Sequence, residues 1–489
     1  MIEKKPNIVF ILSDDQGCWA MHCAGNDDII TPNLDRLARR GTMFSNFFCA
    51  SPVCSPARAT ILTGKIPSQH GVMDWISKGN IGPDSIEYLK DCKGYTDYLA
   101  ENGYVCGLSG KWHLGSHAVP QKSMSHWYCH QLGCANYYDP PMVRDGKEVT
   151  EKGYVTDLIT DDALAFIEEN AGKDKPFCLN LNYTAPHLPW TKENHPEKYR
   201  KLYENCKFES CPQGPYHPDA MAKYERRFIP EFLVGYFAAI TAMDANIGRV
   251  LDRLEELGIA EDTVVIFMSD NGHNCGHHGI WGKGNGTMSI NMYDTSIKVP
   301  AIISYPGHIA ENVVCDEMLS QYDILPTMLD CLGIPLEPDA NLPGHSFAGL
   351  FRGDPDYKPN ETVYTYDEYG PVRMIRTKEW KYVHRYPKGP HELYNLKDDP
   401  DENFNCVDYP ELVELKEQLR GQMYDWFYQY VDPAMDATKE PITGSGQIGL
   451  AGKKAHGKLA FHQIRTVQTN PYTHAKTILA QQGITSDHK

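Results

Sequence analysis

No run of apolar residues in this chain approaches the roughly 18 that a membrane-crossing helix requires. The N-terminus also does not read as a secretory leader. Lys4 and Lys5 precede only Ile8-Val9-Phe10-Ile11-Leu12, shorter than a secretory apolar core and without a small-residue cleavage site. These absences lead to the expectation of a cytoplasmic protein, with a trimmed secreted or periplasmic chain left open. Positive charge is scarce as well. With 47 Lys and Arg against 64 Asp and Glu, the formal charge is −17. Such a surface repels bulk nucleic acid and anionic membrane, so neither is expected as a partner. Any anionic substrate must be held by a local cluster of cations. The fifteen cysteines follow no spacing pattern, which suits reduced thiols better than a disulfide framework.

A chain of 489 residues has room for one large core and a smaller domain. Continuous apolar runs at Asn7–Leu12, Tyr104–Leu108, Phe177–Tyr183, Thr263–Ser269 and Val299–Ser304 read as buried, mostly parallel strands. Amphipathic or capped helices alternate with them at Thr31–Arg40, Thr156–Asn170, Phe232–Leu257 and Asp323–Leu332. The expected fold is α/β, a large mixed and mostly parallel sheet flanked by helices, over residues 1–355. Short strand-like runs and a helix near Glu411–Tyr430 predict a smaller α+β domain over 356–440. Residues 441–489 form a basic tail, in which Gly444–Gly452 reads as a flexible linker and Asn470–Gln482 as a short helix. The tail is expected to fold back on the body or on a neighbouring subunit, which keeps a homo-oligomer open. The irregular stretches 115–153 and 191–226 read as insertions over the site.

Ligands of open α/β sheets bind beyond the carboxyl ends of the strands, and four strands here end in polar residues. The first delivers Asp14 and Asp15, the second Lys111 and His113, the third His187, the fourth Asp270 and Asn271. Adjacent carboxylates repel unless a cation or protons compensate. Asp14, Asp15, Asp270 and Asn271 offer hard oxygen donors, which favour Ca²⁺ or Mg²⁺ over zinc. His273, Cys275, His277 and His278 follow at once, too close together in sequence for ordinary structural-zinc spacing. A further motif, Cys54-Ser55-Pro56-Ala57-Arg58, opens a short helix that stops at Gly64. Its N-terminus favours an anion or a nucleophile, and Arg58 lies one turn on, on the same face as Cys54. With Lys111, Lys283, His113 and His187 supplying charge and protons, the set describes in-line displacement at an anionic ester.

In order and composition these motifs resemble those of the formylglycine-dependent sulfatases of the alkaline-phosphatase-like superfamily. The likeness runs from Asn7-Ile8-Val9-Phe10 through Cys54–Arg58, Gly110-Lys111-Trp112-His113, Ala185-Pro186-His187, Ser269-Asp270-Asn271-Gly272 and Gly279–Gly284 to Glu392–Leu396. It departs at Ala57, where the motif usually has Ser, which leaves the type of maturation enzyme open. The resemblance implies a formylglycine made from Cys54 by a formylglycine-generating enzyme. It implies a metal, calcium or alternatively magnesium, held by Asp14, Asp15, Asp270, Asn271 and the Cys54-derived group. One hydroxyl of the aldehyde hydrate attacks sulfur, and the second then expels sulfate. Arg58 and His113 would hold the hydrate, Lys111 and Lys283 the sulfate oxygens, and His187 would protonate the leaving alcohol. The substrate expected is a sulfated small molecule or glycan, with a sulfated carbohydrate favoured. Trp75, Trp190, His277 and Trp281 adjoin the motifs as candidate stacking walls, and Asp74 as an acceptor for a sugar hydroxyl. The competing expectations are a phosphonate or phosphate ester hydrolase of the same superfamily and a non-catalytic anion-binding homologue.

Overall fold

The computed structural model describes residues 5–463 apart from 145, 339 and 368–370. The helix expected at Asn470–Gln482 lies outside the described residues.

A ten-stranded mixed sheet forms the body. Its strands run in the order Val313–Cys315, Thr42–Phe44, Ala301–Ser304, Thr263–Ser269, Asn7–Ser13, Phe177–Asn182, Val105–Lys111, His126–His130, Pro141–Arg144 and Lys147–Thr150. The five from Thr263–Ser269 to His126–His130 are mutually parallel, and antiparallel pairs flank them on both sides. Successive strand residues face opposite sides of a sheet. Accordingly Ile8, Phe10 and Leu12 pack on one face with the helices Cys54–Thr63, Tyr95–Glu101 and Ile324–Cys331. Val9 and Ile11 pack on the other with the helices Pro32–Arg39, Val155–Asn170 and Ile229–Glu256. Burial on both faces is why these strands read as unbroken apolar runs rather than alternating ones.

Although no unbroken apolar run reaches membrane length, the Ile229–Glu256 helix would pass by length and composition as one able to cross a membrane, and it lies largely buried within the fold. Pro230 sits in its first turn, where the missing N–H costs nothing.

Beyond residue 361, a four-stranded antiparallel sheet (Thr362–Asp367, Val372–Thr377, Trp380–Arg385, Glu392–Asn395) packs on the Val413–Tyr430 helix through Ile375, Tyr382, Leu393, Leu419, Met423 and Phe427. A buried ionic cluster ties this unit to the body. Arg376 and Lys381 converge on Asp294 at 2.8 and 2.6 Å, and Lys381 also reaches Glu402 at 2.5 Å.

Two expectations need correction. Residues 115–153 are not simply an insertion over the site, because 126–130, 141–144 and 147–150 extend the main sheet by three strands. Their mixed His, Tyr, Cys and Pro content lacks the apolar signature of the central strands. Gly444–Gly452 is no free linker either. Gln447 within it is fully buried and pairs with Ile76 and Phe461, which bears out a tail folded back on the body for the described part.

Candidate active site

Four neighbouring parallel strands deliver the polar residues from their carboxyl ends. Asn7–Ser13 is flanked by Thr263–Ser269 and Phe177–Asn182, and Val105–Lys111 comes next. Asp14, Asp15, Asp270 and Asn271 therefore meet, and each is at most 3% exposed. Carboxylate oxygens of Asp14, Asp15 and Asp270 lie within 4.8 Å of one another. Asn271 Nδ2 donates to Asp15 Oδ1 at 2.8 Å. Two non-glycine site residues, Asp15 at φ 63° and His113 at φ 54°, occupy the left-handed region. Such conformations cost energy and persist only where their surroundings enforce them.

Cys54 begins the Cys54–Thr63 helix, every residue of which is buried. Gly64, at φ 67°, ends it in a left-handed cap with its N–H donating to Thr60 O at 2.8 Å. The Cys54 sulfur, an Asp14 carboxylate oxygen and a His187 ring nitrogen also lie within 4.8 Å of one another. Lys283 Nζ stands 2.8 Å from Cys54 Sγ and ion-pairs with Asp15, while Lys111 ion-pairs with Asp14. Arg58 Nε donates to Asp270 Oδ2 at 2.9 Å and Nη1 to Lys111 O at 3.2 Å, leaving Nη2 without a hydrogen-bond acceptor.

The two histidines are oriented by backbone carbonyls, which can only accept. His113 Nε2 is 3.0 Å from Ile76 O, so Nε2 carries the hydrogen and Nδ1 is left as a bare, unpartnered acceptor. His187 Nδ1 likewise donates to Leu188 O at 3.0 Å, leaving Nε2 at 3.7 Å from Asp15 Oδ2.

Electrostatics follow from this packing. Burial opposes the charge on Asp14, but Lys111, His187 and Arg58 outweigh it and hold the carboxyl well below its usual range. For Asp15 the same contest, with Lys283 opposing burial, ends at about 2. Asp270 goes the other way, raised by burial and by Asp14 to about 7. Burial drives His113 well below its ordinary value, with Lys111 and Arg58 adding to it, so its imidazole is neutral. Burial also pushes the Cys54 thiol up to about 12 against the pull of Lys111 and Lys283. As a thiol it is a poor nucleophile at neutral pH, because the thiolate is the reactive form.

The donor set fits a hard divalent cation. Asp14 Oδ1 and Asn271 Oδ1 are buried and have no hydrogen-bond partner among the described residues. Buried polar atoms are otherwise nearly always satisfied, and all four side chains here present oxygen.

The expected substrate-contacting residues are less well matched. Trp190 and Trp281 are 1% and 3% exposed and pack, 5.9 Å apart, in an aromatic cluster with Tyr224, Phe232 and Tyr236. They form core rather than a stacking wall, since large apolar surface next to a site is drawn inward when a partner is at hand. Asp74 is committed to its own loop and to the folded-back tail, accepting from Trp75 N at 2.6 Å and Gly446 N at 3.0 Å. Trp75 is half-buried, its indole donating to Gly444 O at 3.3 Å. His277 is tied to Ser210 O at 3.0 Å and packs at a tilt against Trp19, ring centroids 4.7 Å apart.

Two residues without a role in the sequence reading of the site adjoin it, Gly133 and His273. A Cβ on Gly133 would fall 2.4 Å from the His113 ring, so this glycine lets the 131–137 loop close over it. His273 is buried with both ring nitrogens unpartnered, Nδ1 being 3.8 Å from Asp15 Oδ2. Its position two residues after Asn271 is the signal for it in the sequence, where it reads only with Cys275, His277 and His278 as a zinc group too closely spaced.

Comparison with known proteins gives a consistent picture. A family model described as Sulfatase matches residues 6–334, and one described as N-sulphoglucosamine sulphohydrolase, C-terminal, matches 276–429. An N-acetylglucosamine-6-O-sulfatase of Bacteroides thetaiotaomicron is 29% identical over 91% of this chain and 90% of its own. An ulvan-active sulfatase of Formosa agariphila is 30% identical over 86% of this chain and 80% of its own. A structure solved in complex with its substrate D-glucosamine-2-N,6-O-disulfate superposes with a TM-score of 0.75 at 26% identity, covering 89% of this chain and all of the other.

Proposed function

The chain belongs to the sulfatase family and hydrolyses sulfate esters, and on that premise we propose that its substrate is a 6-O-sulfated glucosamine or N-acetylglucosamine unit of a sulfated glycan. The observation that carries a hydrolytic reading is the juxtaposition of Cys54 with Lys283 at 2.8 Å and with the Asp14, Asp15 and Asp270 cluster. The choice of sugar is supported by two relatives, the N-acetylglucosamine-6-O-sulfatase and the structure holding D-glucosamine-2-N,6-O-disulfate.

The sulfatase family uses a metal and a formylglycine. In this chain Asp14, Asp15, Asp270 and Asn271 would hold the cation, proposed to be Ca²⁺ because all four donors are oxygens. When bound, the cation polarises the sulfate group and carries part of the charge that develops on it. Cys54, converted to formylglycine by a maturation enzyme, supplies the nucleophilic oxygen.

The remaining side chains have roles that follow from their geometry. Lys283 and Lys111 reach toward Cys54 and Asp14 from two sides and neutralise the sulfate oxygens. Arg58, anchored through Nε, keeps an Nη2 with no hydrogen-bond acceptor, 3.6 Å from Asp14 Oδ2, to offer the same group. Preorganised donors of this kind gain strength in a site closed to water. His113 presents the bare Nδ1 as acceptor for a hydroxyl hydrogen on the nucleophile. His187, fixed through Nδ1, can give a proton from Nε2 to the departing alcohol only as an imidazolium, a form that burial opposes and Asp14 and Asp15 favour; the step is worth about 10²–10⁴ in rate.

The test is kcat/KM on glucosamine and galactosamine sulfated at single positions, with matched phosphate and phosphonate monoesters alongside. The 6-O-sulfated glucosamines are expected to turn over fastest. Faster turnover of the phosphorus esters would overturn the reading in favour of the phosphonate or phosphate hydrolase alternative.

A further inference from the structure

The described end of the chain comes back to the rim of the site and is wired to it through one buried side chain. Gln447, 0% exposed, accepts at Oε1 from Met73 N at 2.9 Å. Its Nε2 donates to Gly71 O at 2.9 Å and Gly449 O at 3.0 Å. Its backbone extends the same contact, with Gln447 N to Trp75 O at 2.8 Å and Ser77 N to Gln447 O at 3.0 Å. Gly446 precedes it at φ 108°, and a Cβ there would fall 2.5 Å from that of Ser77, so only glycine permits this approach. On the far side His462 Nε2 meets Ser77 Oγ at 2.9 Å.

The loop braced in this way, 71–78, contains Ile76, and Ile76 touches two residues of the site. Its carbonyl takes the hydrogen of His113 Nε2 at 3.0 Å, and its N–H donates to Ser55 Oγ at 3.1 Å, the residue after Cys54. The carbonyl is what fixes the His113 ring and leaves Nδ1 as a bare acceptor. A carbonyl can set a tautomer only if its own position is fixed. No regular secondary structure holds Ile76. Its isolated bridge is to Gln447.

We propose that Gln447 is a positioning residue for sulfate ester hydrolysis, acting through Ile76 on the orientation and tautomer of His113. This rests on the sulfatase reading above. Sequence distance is no obstacle, since Gln447 and His113 are brought together by the folded-back strap rather than by the sheet.

The test is Gln447→Met in the full chain, which keeps the side chain's length and removes its hydrogen bonds, assayed on an aryl sulfate. We expect kcat to fall about tenfold, the scale of a sub-ångström misplacement of a working group, with KM within twofold. In a His113→Gln background, where there is no imidazole to orient, the same change should move kcat less than twofold. An unchanged kcat in the first background, or an equal fall in both, would overturn the proposal, since a merely structural residue acts alike in both. Hydrogen exchange separates this from the function itself. A parent protein with no sulfatase turnover contradicts the sulfatase reading, whereas unchanged exchange of amides 71–78 in Gln447→Met contradicts the brace.

Discussion

Lys283 and Cys54 meet at 2.8 Å, although 229 residues separate them in sequence. The same ammonium ion-pairs with Asp15, so one cation links Cys54, the proposed site of the nucleophile, to the carboxylates proposed to hold the metal. Neighbouring negative charge holds Lys283 well above its ordinary pKa despite burial, and it stays charged throughout the working range. Lys283→Met is expected to lower kcat/KM on an aryl sulfate by about 10²–10³, the cost of one preorganised oxyanion donor. Circular dichroism should be unchanged. Activity within threefold of the parent would remove Lys283 from the reaction.

His187 is assigned to the leaving group, and leaving groups differ in how much they need an acid. His187→Ala should reduce kcat/KM by about 10²–10⁴ on a sugar sulfate. On nitrophenyl sulfate, whose phenolate departs without help, the loss should be far smaller. Equal losses on both substrates would mean that His187 binds rather than donates.

The carboxylate cluster makes metal dependence a thermodynamic prediction as well as a kinetic one. A ligand that binds only the folded state stabilises it by about 2.7 kcal/mol at one hundred times its Kd. Chelation should lower both Tm and turnover, and calcium should restore both. Asp270→Asn should weaken the response of Tm to calcium. A Tm indifferent to calcium would contradict the assignment.

The ionic cluster between the body and the C-terminal sheet carries a pH signature. Lys381 is fully buried between Asp294 and Glu402. Burial opposes ionisation of Asp294, but Lys381 and Arg376 prevail and hold it well below its usual range. Glu402 is raised by burial to about 7, Asp294 adding to the rise and Lys381 opposing it. Lys381→Met removes the shared cation, and orphaned buried charges of this kind cost about 3–5 kcal/mol. A carboxyl whose folded pKa rises destabilises the fold as pH climbs from its unfolded value through the folded one. The deficit of the variant should therefore be largest at pH 8 and shrink toward pH 5, where Glu402 and Asp294 can take up protons. Urea midpoints at the two pH values measure it, and a deficit that grows on acidification would contradict the account.

The central sheet and the site were legible because both leave local marks. Strands buried on two faces are unbroken apolar runs, and their polar ends Asp14-Asp15, Lys111, His187 and Asp270-Asn271 stand out against them. The Cys54 helix is framed by Pro56 and Gly64, signals that do not depend on tertiary context. What stayed hidden is decided by partners distant in sequence. The strands at 126–150 gain their conformation from pairing to the sheet edge, and nothing in their mixed composition announces it. Gly444–Gly452 looks like a linker by its glycines, yet Gly446 is small so that the backbone can approach Ser77. Trp190 and Trp281 adjoin the motifs in sequence, and only their packing against Tyr224, Phe232 and Tyr236 reveals them as core.

The most direct measurement is mass spectrometry of the tryptic peptide Gly41–Arg58, from protein produced with a formylglycine-generating enzyme. This peptide contains both Cys49 and Cys54, so Cys49 serves as the internal control. The account predicts an aldehyde at Cys54 and an alkylatable thiol at Cys49, with sulfate release rising in proportion to the aldehyde fraction. Full sulfatase turnover by protein whose Cys54 remains entirely a thiol would contradict it.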